Sequence, residues 1–181
     1  DTDADSYNLF DGLLKKVHRY EGISVVDFSV EPVGKDNVIS LLTKIWEKAS
    51  PRLKSLKAEG QLAYFVSTDV CDAYEQYLDS LGADGAYTEL TTGRRELSFH
   101  GIKLIDINIS HIMPLHHVDN PSFCVLTDRR NLVLAVNTAD YPGSEVRMWY
   151  NPDEMQNRQR AIFMAGCELL DEGLVVRADF N

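Results

Sequence analysis

Apolar residues recur at helical spacing through the first half of the chain and shift to alternating or continuous runs in most of the second half. Leu9, Leu13, Val17 and Tyr20 line one side of a helix predicted over 7–19, with Gly12 its weakest position. Residues 23–30 are rich in β-branched side chains and stop before Pro32, the pattern of a strand. A helix is predicted over 37–49, with Asp36 as its N-cap and Val38, Leu41, Leu42, Ile45 and Trp46 as its apolar stripe. Pro51 opens a short turn or helix to residue 56, and 62–66 forms a compact buried strand. The clearest helix covers 69–81, where Val70, Tyr74, Tyr77 and Leu81 repeat, Ser67 or Thr68 caps the start and Gly82 ends it.

Past residue 82 the pattern changes. Residues 83–93 are polar and carry glycine, an exposed loop. Strands over 96–99 and 102–107 flank His100-Gly101, a tight turn. Strands over 122–126 and 132–136 are separated by the turn-like Thr127-Asp128-Arg129-Arg130-Asn131, and 145–150 makes another strand. Asn151-Pro152-Asp153-Glu154 carries the signals of a helix start, with Asn as cap, Pro at the first position and acids facing the dipole. From there to residue 170 helix and strand compete, because 161–167 lacks a polar face and contains Gly166. A last strand covers 174–177. Helices followed by many strands define an α+β class, with a mixed sheet from the strands after Leu62 covering the apolar stripes of the helices at Asn37 and Asp69.

At 181 residues the chain is one domain or two small ones and can bury roughly 70% of its unfolded surface without a metal or disulfide. Its net charge of −10, with Lys and Arg scattered and short basic clusters such as Arg94-Arg95, Arg129-Arg130 and Arg158/Arg160, disfavours sequence-specific nucleic-acid binding and suits solubility at high concentration. No apolar run has membrane-spanning length, and the acidic start Asp1-Thr2-Asp3-Ala4-Asp5-Ser6 is not a signal peptide. Cys71, Cys124 and Cys167 are far apart and lack CxxC spacing, as expected of buried thiols in a reducing compartment.

Candidate chemistry is sparse. His111, His116, His117 and Asp119 form the ligand-rich cluster, but zinc needs three or four converging groups and Pro114 breaks any helix that could align these imidazoles; a polar loop is expected. Asp1, Asp3 and Asp5 alternate like the opening of a calcium loop, yet Ser6 and Gly12 stand where that loop needs Gly and Glu. Cys167 beside Glu168 has no nearby His and apolar flanks, so it is expected to pack rather than react. With no GxSxG, P-loop or GxGxxG, no catalytic, cofactor-binding or metal residue is assigned and no enzyme is expected.

Several segments, in their order, resemble the major capsid proteins of tailed phages with the Hong Kong 97-type fold. Residues Tyr64-Phe65-Val66-Ser67-Thr68-Asp69-Val70-Cys71-Asp72-Ala73-Tyr74 look like that family's buried strand feeding an axial-domain helix. Gly101-Ile102-Lys103-Leu104-Ile105-Asp106, Ile112-Met113-Pro114 and Cys124-Val125-Leu126-Thr127-Asp128-Arg129-Arg130-Asn131-Leu132-Val133 are similar to its strand, turn and apolar strand with "T-D" and "N-L". Phe10-Asp11-Gly12-Leu13 is similar to its lead-in, and 158–178 to its closing strands. The resemblance favours strand over helix for 158–170 and confines the helix to 152–157.

It further implies a flexible lead over 1–9 and a single α+β domain over 10–181, axial domain plus closing peripheral strands, without the family's N-terminal arm, extended loop and spine helix. The implied function is a shell subunit that builds pentamers and hexamers around packaged DNA, found in the virion and, during assembly, in the bacterial host cytoplasm. Its partners would be other copies of itself, with scaffold, portal or decoration proteins besides, and no membrane. Chain order places the tip loop that meets its copies around five- and six-fold axes at 83–95, with Asp84, Tyr87, Glu89, Arg94 and Arg95. Two other classes remain open: a tail or connector module, and a metal-dependent enzyme using the histidine cluster.

Overall fold

The computed structural model describes residues 12–28, 32–81, 97–109, 122–136, 145–162 and 164–180. The lead expected over 1–9 lies outside them. By their contacts the residues group into two compact units: Tyr20–Asn131 with Asp171–Asn181, and Asp1–Arg19 with Leu132–Leu170. The sequence reading treats 10–181 as one domain; the chain passes between the units at 19/20, 131/132 and 170/171.

The first unit is built on a six-stranded mixed sheet. Its strands are β1 (Ser24–Asp27), β2 (Leu62–Val66), β3 (Ser98–Phe99), β4 (Ile102–Asp106), β5 (Cys124–Asp128) and β10 (Val175–Asp179), in the order β1-β10-β5-β2-β4-β3. β2 runs parallel to β4 and antiparallel to β5, while β10 is antiparallel to β5 and parallel to β1. The central strands are covered on both faces: every residue of β5 is buried, as are four of the five in β2, and both are apolar except for Thr127 and Asp128 at the end of β5. The edge strands are short, four residues in β1 and two in β3, which limits how much open ladder the sheet presents.

Two helices, α2 (Val38–Lys48) and α4 (Thr68–Ser80), pack on this sheet and on each other. Val38, Leu41, Leu42 and Ile45 of α2 and Val70, Ala73, Tyr74 and Leu78 of α4 share one apolar core with Tyr64, Leu104, Leu126 and Val176 of the strands. A mixed sheet and both helical stripes are present as expected, but the sheet also takes in β1 from before Leu62, and the strands expected over 132–136 and 145–150 pair outside it; the helices need corrections at their ends. The N-cap of α2 is Asn37, not Asp36, because the Asn37 N–H closes a turn onto the Gly34 carbonyl and delays the helix by a residue. The Asn37 side chain tightens that turn, accepting from the Gly34 N–H at 2.8 Å and donating to the Pro32 carbonyl at 2.9 Å. Leu81 falls past the last residue of α4 and is 60% exposed, so Leu78 takes the place expected for it in the stripe. The short helix α3 (Pro51–Ser55) starts where Pro51 predicted, capped by Ser50, whose Oγ accepts from the Leu53 N–H; a 3-10 turn, Leu56–Glu59, continues it.

The His100-Gly101 turn is as expected. Phe99 pairs with Ile102 across it, and both turn residues are left-handed, at φ 53° and 75°. Glycine reaches that region freely, whereas the histidine is held by a stacked Trp46 and the edge of Phe99.

The second unit contains α1 (Leu13–Arg19), β6 (Leu132–Val136), β7 (Glu145–Asn151), β8 (Gln156–Ile162) and β9 (Ala165–Leu169). β6 pairs antiparallel with β9, and α1 contacts β9 through a Lys16–Glu168 ion pair at 2.5 Å. The described part of the first predicted helix is thus present from Leu13. β7 and β8 form a separate two-stranded antiparallel ribbon. Here the helix expected over 152–157 is wrong: Pro152 to Met155 turn the chain, and Asn151 pairs with Gln156. The Asn151 side chain accepts from the Asp153 N–H at 3.3 Å, and Met155 adopts φ 48°. Asn, Pro and Asp serve turns as well as helix starts, and no apolar stripe follows to hold a helix against a core. The strand reading of 158–170 is realised as β8 and β9.

Two expectations follow for the core. Leu126→Ala, at a fully buried site, should lower unfolding free energy by about 2–5 kcal/mol in a urea titration. The Tyr64 hydroxyl is buried without a hydrogen-bond partner among the described residues. Tyr64→Phe should therefore be neutral or stabilising by up to ~1–2 kcal/mol in the same titration; a clear loss would show that the hydroxyl is bonded.

Candidate assembly surfaces

A buried polar clamp at the end of β5 organises the first unit. Thr127 and Asp128, expected in a turn, complete β5 instead, and Arg129–Asn131 form a 3-10 turn behind them. They remain buried because each polar atom finds a partner. Thr127 donates to the Leu174 carbonyl at 2.9 Å and accepts from Asn131 Nδ2. Asn131 Nδ2 also donates to the Asp171 carbonyl at 2.9 Å, and the Asp171 N–H donates to Asn131 Oδ1 at 2.8 Å. Asp171 in turn accepts from the Gly173 N–H and from Arg52 of α3. Asp128 accepts the Arg130 N–H at 2.8 Å and a two-pronged bond from its guanidinium at 3.1 and 2.7 Å. Arg130 also reaches Glu59 at 2.6 Å. The Arg130 side chain bonded to Asp128 holds that carboxyl below its ordinary value, against the opposing effect of burial.

These residues fix structure. Cys124 and Cys167 are buried and Cys71 half-buried, so the expectation of buried thiols needs correcting at Cys71. Burial first, then Asp106, Glu75 and Asp72, push the Cys71 thiol up to about 12, and burial, with Asp69 nearby, raises Cys124. Neither forms thiolate readily near neutrality. Glu168 pairs with Lys16. No group of three or more His, Cys, Asp or Glu among the described residues is placed to hold a metal, and no helix among them is long and apolar enough to cross a membrane. The loop residues Asp84, Tyr87, Glu89, Arg94 and Arg95, the cluster His111, His116, His117 and Asp119, and Asp1, Asp3 and Asp5 all lie outside the described residues.

The second unit exposes what the first one buries. Leu134, Val136, Met148, Trp149, Tyr150, Met155, Met164 and Leu170 are all exposed, Met148 by 78% and Met155 by 81%. From Arg147 to Arg160 every residue of the ribbon is exposed except Asn151, which is half-buried. Its register divides the side chains between two faces. One carries Arg147, Trp149, Arg158 and Arg160; the other carries Met148, Tyr150, Asn157 and Gln159. The alternation of Arg147 with Trp149 and of Arg158 with Arg160 is visible in the sequence. Their convergence is not, because it depends on the register.

With this geometry in place, comparison gives a consistent result. No protein-family profile matches the chain. No curated protein matches it either. Solved structures do. A chain of Mycobacterium phage Che8 aligns with a TM-score of 0.53 at 14% identity, covering 87% of this chain and 53% of that one. A chain of the holo-SrpI encapsulin complex from Synechococcus elongatus PCC 7942 aligns with a TM-score of 0.52 at 15% identity, covering 93% of this chain and 55% of that one. The chain spans about half the length of each. It has a capsid-like α+β fold, consistent with the Hong Kong 97 type.

The clamp predicts a pH signature. Asp128 has a folded-state pKa below its unfolded one, so its stabilisation is complete above the ordinary aspartate value of about 3.9 and is lost as pH falls through the lowered one. Asp128→Asn should cost about 1–3 kcal/mol at pH 7, and the gap to the parent should stay constant down to about pH 5 and close below it. Urea titrations at a series of pH values test this; a gap that widens on acidification contradicts the assignment.

Proposed function

We propose that the chain is a structural subunit of a phage or prophage icosahedral capsid, self-assembling into pentamers and hexamers around packaged DNA. The observation that carries this reading is the capsid-like fold, shared over 87% and 93% of the chain with a phage chain and a chain of an encapsulin complex. The exposed apolar side chains of the second unit support it, because residues of that size left in water in one part of a chain mark contact surfaces. In this reading the six-stranded sheet with α2 and α4 is the axial domain, and β6 to β9 supply peripheral strands. Its partners are other copies of the chain, with scaffold, portal and decoration proteins as further candidates, and it acts as a shell component rather than an enzyme. The virion capsid, and the host cytoplasm during assembly, are where it would work.

The loop over 83–95 is proposed as the contact around the five- and six-fold axes. It carries Asp84 and Glu89 with Arg94 and Arg95, both signs of charge within a few residues. A ring contact is heterologous, so one side of such a loop meets the other side of the next copy. Each exposed pair contributes only ~0–1 kcal/mol, and specificity comes from repetition around the ring. Arg94→Glu with Arg95→Glu in the full-length protein should sharply reduce the yield of closed shells, counted by sedimentation and negative-stain microscopy. Unchanged yield and morphology would remove the loop from the interface. A parent protein that forms one flat ring and never a shell would favour a connector instead.

A further inference from the structure

We propose that a basic surface around Trp46, formed by Lys54, Lys57 and Arg129, docks onto an acidic corner of a second copy of this chain, formed by Asp72, Glu75 and Asp106. The proposal rests on the shell-subunit reading and specifies a contact within it.

Charge is unevenly placed in the first unit. Residues 44–57 hold five basic side chains against one acidic, Glu47, in a chain whose net charge is −10. Lys54 and Lys57 are three residues apart, so they leave the same side of α3 and the 3-10 turn that continues it. Both ammonium groups lie over the Trp46 ring, at 5.7 and 5.4 Å from its centroid. Trp46 also stacks on His100, which fixes this group beside the start of β4. Arg129 stands at the same end of the sheet: its N–H donates to the carbonyl of Gln61, the residue before β2.

The carboxylates at this end are already engaged. Asp128 and Glu59 hold Arg130, and Asp171 holds Arg52. Glu47 lines a cleft beside β1 together with Lys44 and Lys48. Lys54 donates to the Glu47 carbonyl at 3.0 Å, which suits a cation at the end of α2. Among the described residues, however, no carboxylate pairs with Lys54, Lys57 or Arg129. The indole face attracts each ammonium group, yet the two repel each other, and an anion seated beside them relieves that repulsion.

Charge complementarity points to a copy of the same chain as the occupant, because the matching acids lie at the other end of the same strands. β2 and β4 run parallel, so the residues that follow them lie together. Asp106 ends β4 and accepts from Thr68, at the start of α4, at 3.0 Å. After burial, Asp106, Glu75 and Asp72 are what raise the Cys71 thiol, which gathers the three carboxylates around one point. Asp69 is explained locally, by the first turn of α4 and by Ser122, but Asp72 and Glu75 lie beyond that turn, on a helix with no lysine or arginine. The acidic corner and the basic surface are thus separated by the five residues of each strand, roughly 16 Å. They cannot meet within one copy. Between copies they meet head to tail, a heterologous contact that repeats.

A nucleic-acid strand fits less well. The Trp46 ring already carries two ammonium groups and stacks on His100, so it offers no free platform for a base, and the net charge of −10 opposes a polyanion.

The test is a charge exchange in the full-length protein, read by sedimentation. Lys57→Glu with Arg129→Glu reverses the basic surface, and Asp72→Lys with Glu75→Lys reverses the acidic one. None of the four positions is buried, so circular dichroism and thermal melts of each variant should match the parent. Each reversal alone should weaken self-association at least about tenfold, because like charges then face each other across the contact. The chain with all four substitutions should regain most of it, since its two surfaces are again opposite in sign. An equimolar mixture of the two reversed chains should associate where neither does alone. Salt of about 500 mM should weaken the parent in the same direction.

Normal association by either reversed chain overturns the proposal and leaves the shell reading standing. So does a four-substitution chain that folds like the parent yet associates no better than the reversed ones. A parent that binds a short single-stranded oligonucleotide through Lys57 and Arg129, while its self-association ignores them, overturns it as well. A parent that never self-associates removes both readings together.

Discussion

The reciprocal bond between Asn131 and Asp171 is the constraint on which the first unit depends. The chain leaves that unit after Asn131 and returns at Asp171, and between these points it builds most of the other unit. Two hydrogen bonds, each below 3.0 Å, hold the departing and returning backbone side by side. An amide side chain can donate from one atom and accept on another; aspartate would lose the donor and leucine both. Around this pair the other polar contacts fall into place. Thr127 reaches the backbone leading into β10, Asp171 receives Arg52 from α3, and Asp128 holds Arg130 toward Glu59. β10 can then insert between β1 and β5, although it comes from the far end of the sequence.

That insertion explains why the sheet is mixed. β5 and β2 are neighbours in space but separated by α4, β3 and β4 along the chain, and β10 is added last. Such a sheet has many contacts distant in sequence, and they are held by burial rather than by local turns. Leu126 lies between Tyr64 and Val176 in the ladder, and none of the three is more than 1% exposed. The helices α2 and α4 follow from this arrangement, since each needs an apolar surface to cover and the sheet supplies it.

Local chemistry made part of this legible in advance. The stripe of α2, the Ser50-Pro51 start of α3 and the His100-Gly101 turn all depend on residues within a few positions of one another. Thr127 and Asp128 were unreadable for the opposite reason. Taken singly they are turn formers, and they become strand only because Leu174, Asn131 and Arg130, brought in by the fold, satisfy their polar atoms. Asn151-Pro152-Asp153-Glu154 misled because one set of residues serves both a helix start and a hairpin turn; the choice lies in β7 and β8, which pair across seven positions. The ribbon's arginine face needed the same register. The capsid-like fold was legible through the order of several weak segments, while the tip loop and the histidine cluster lie outside the described residues.

The two units differ in how much apolar side chain they leave in water. The first unit closes on itself: its central strands are covered, its edge strands are short and its buried polar groups are largely paired within the unit. The ribbon of the other unit leaves Met148, Tyr150 and Met155 in water. If both units were left open in this way, association would compete with folding, because partly folded chains would expose the same kinds of surface. Modest contacts of this kind can also be broken and remade. On the shell-subunit reading proposed above, that reversibility matters, since a misplaced subunit held too tightly would be trapped in the growing wall.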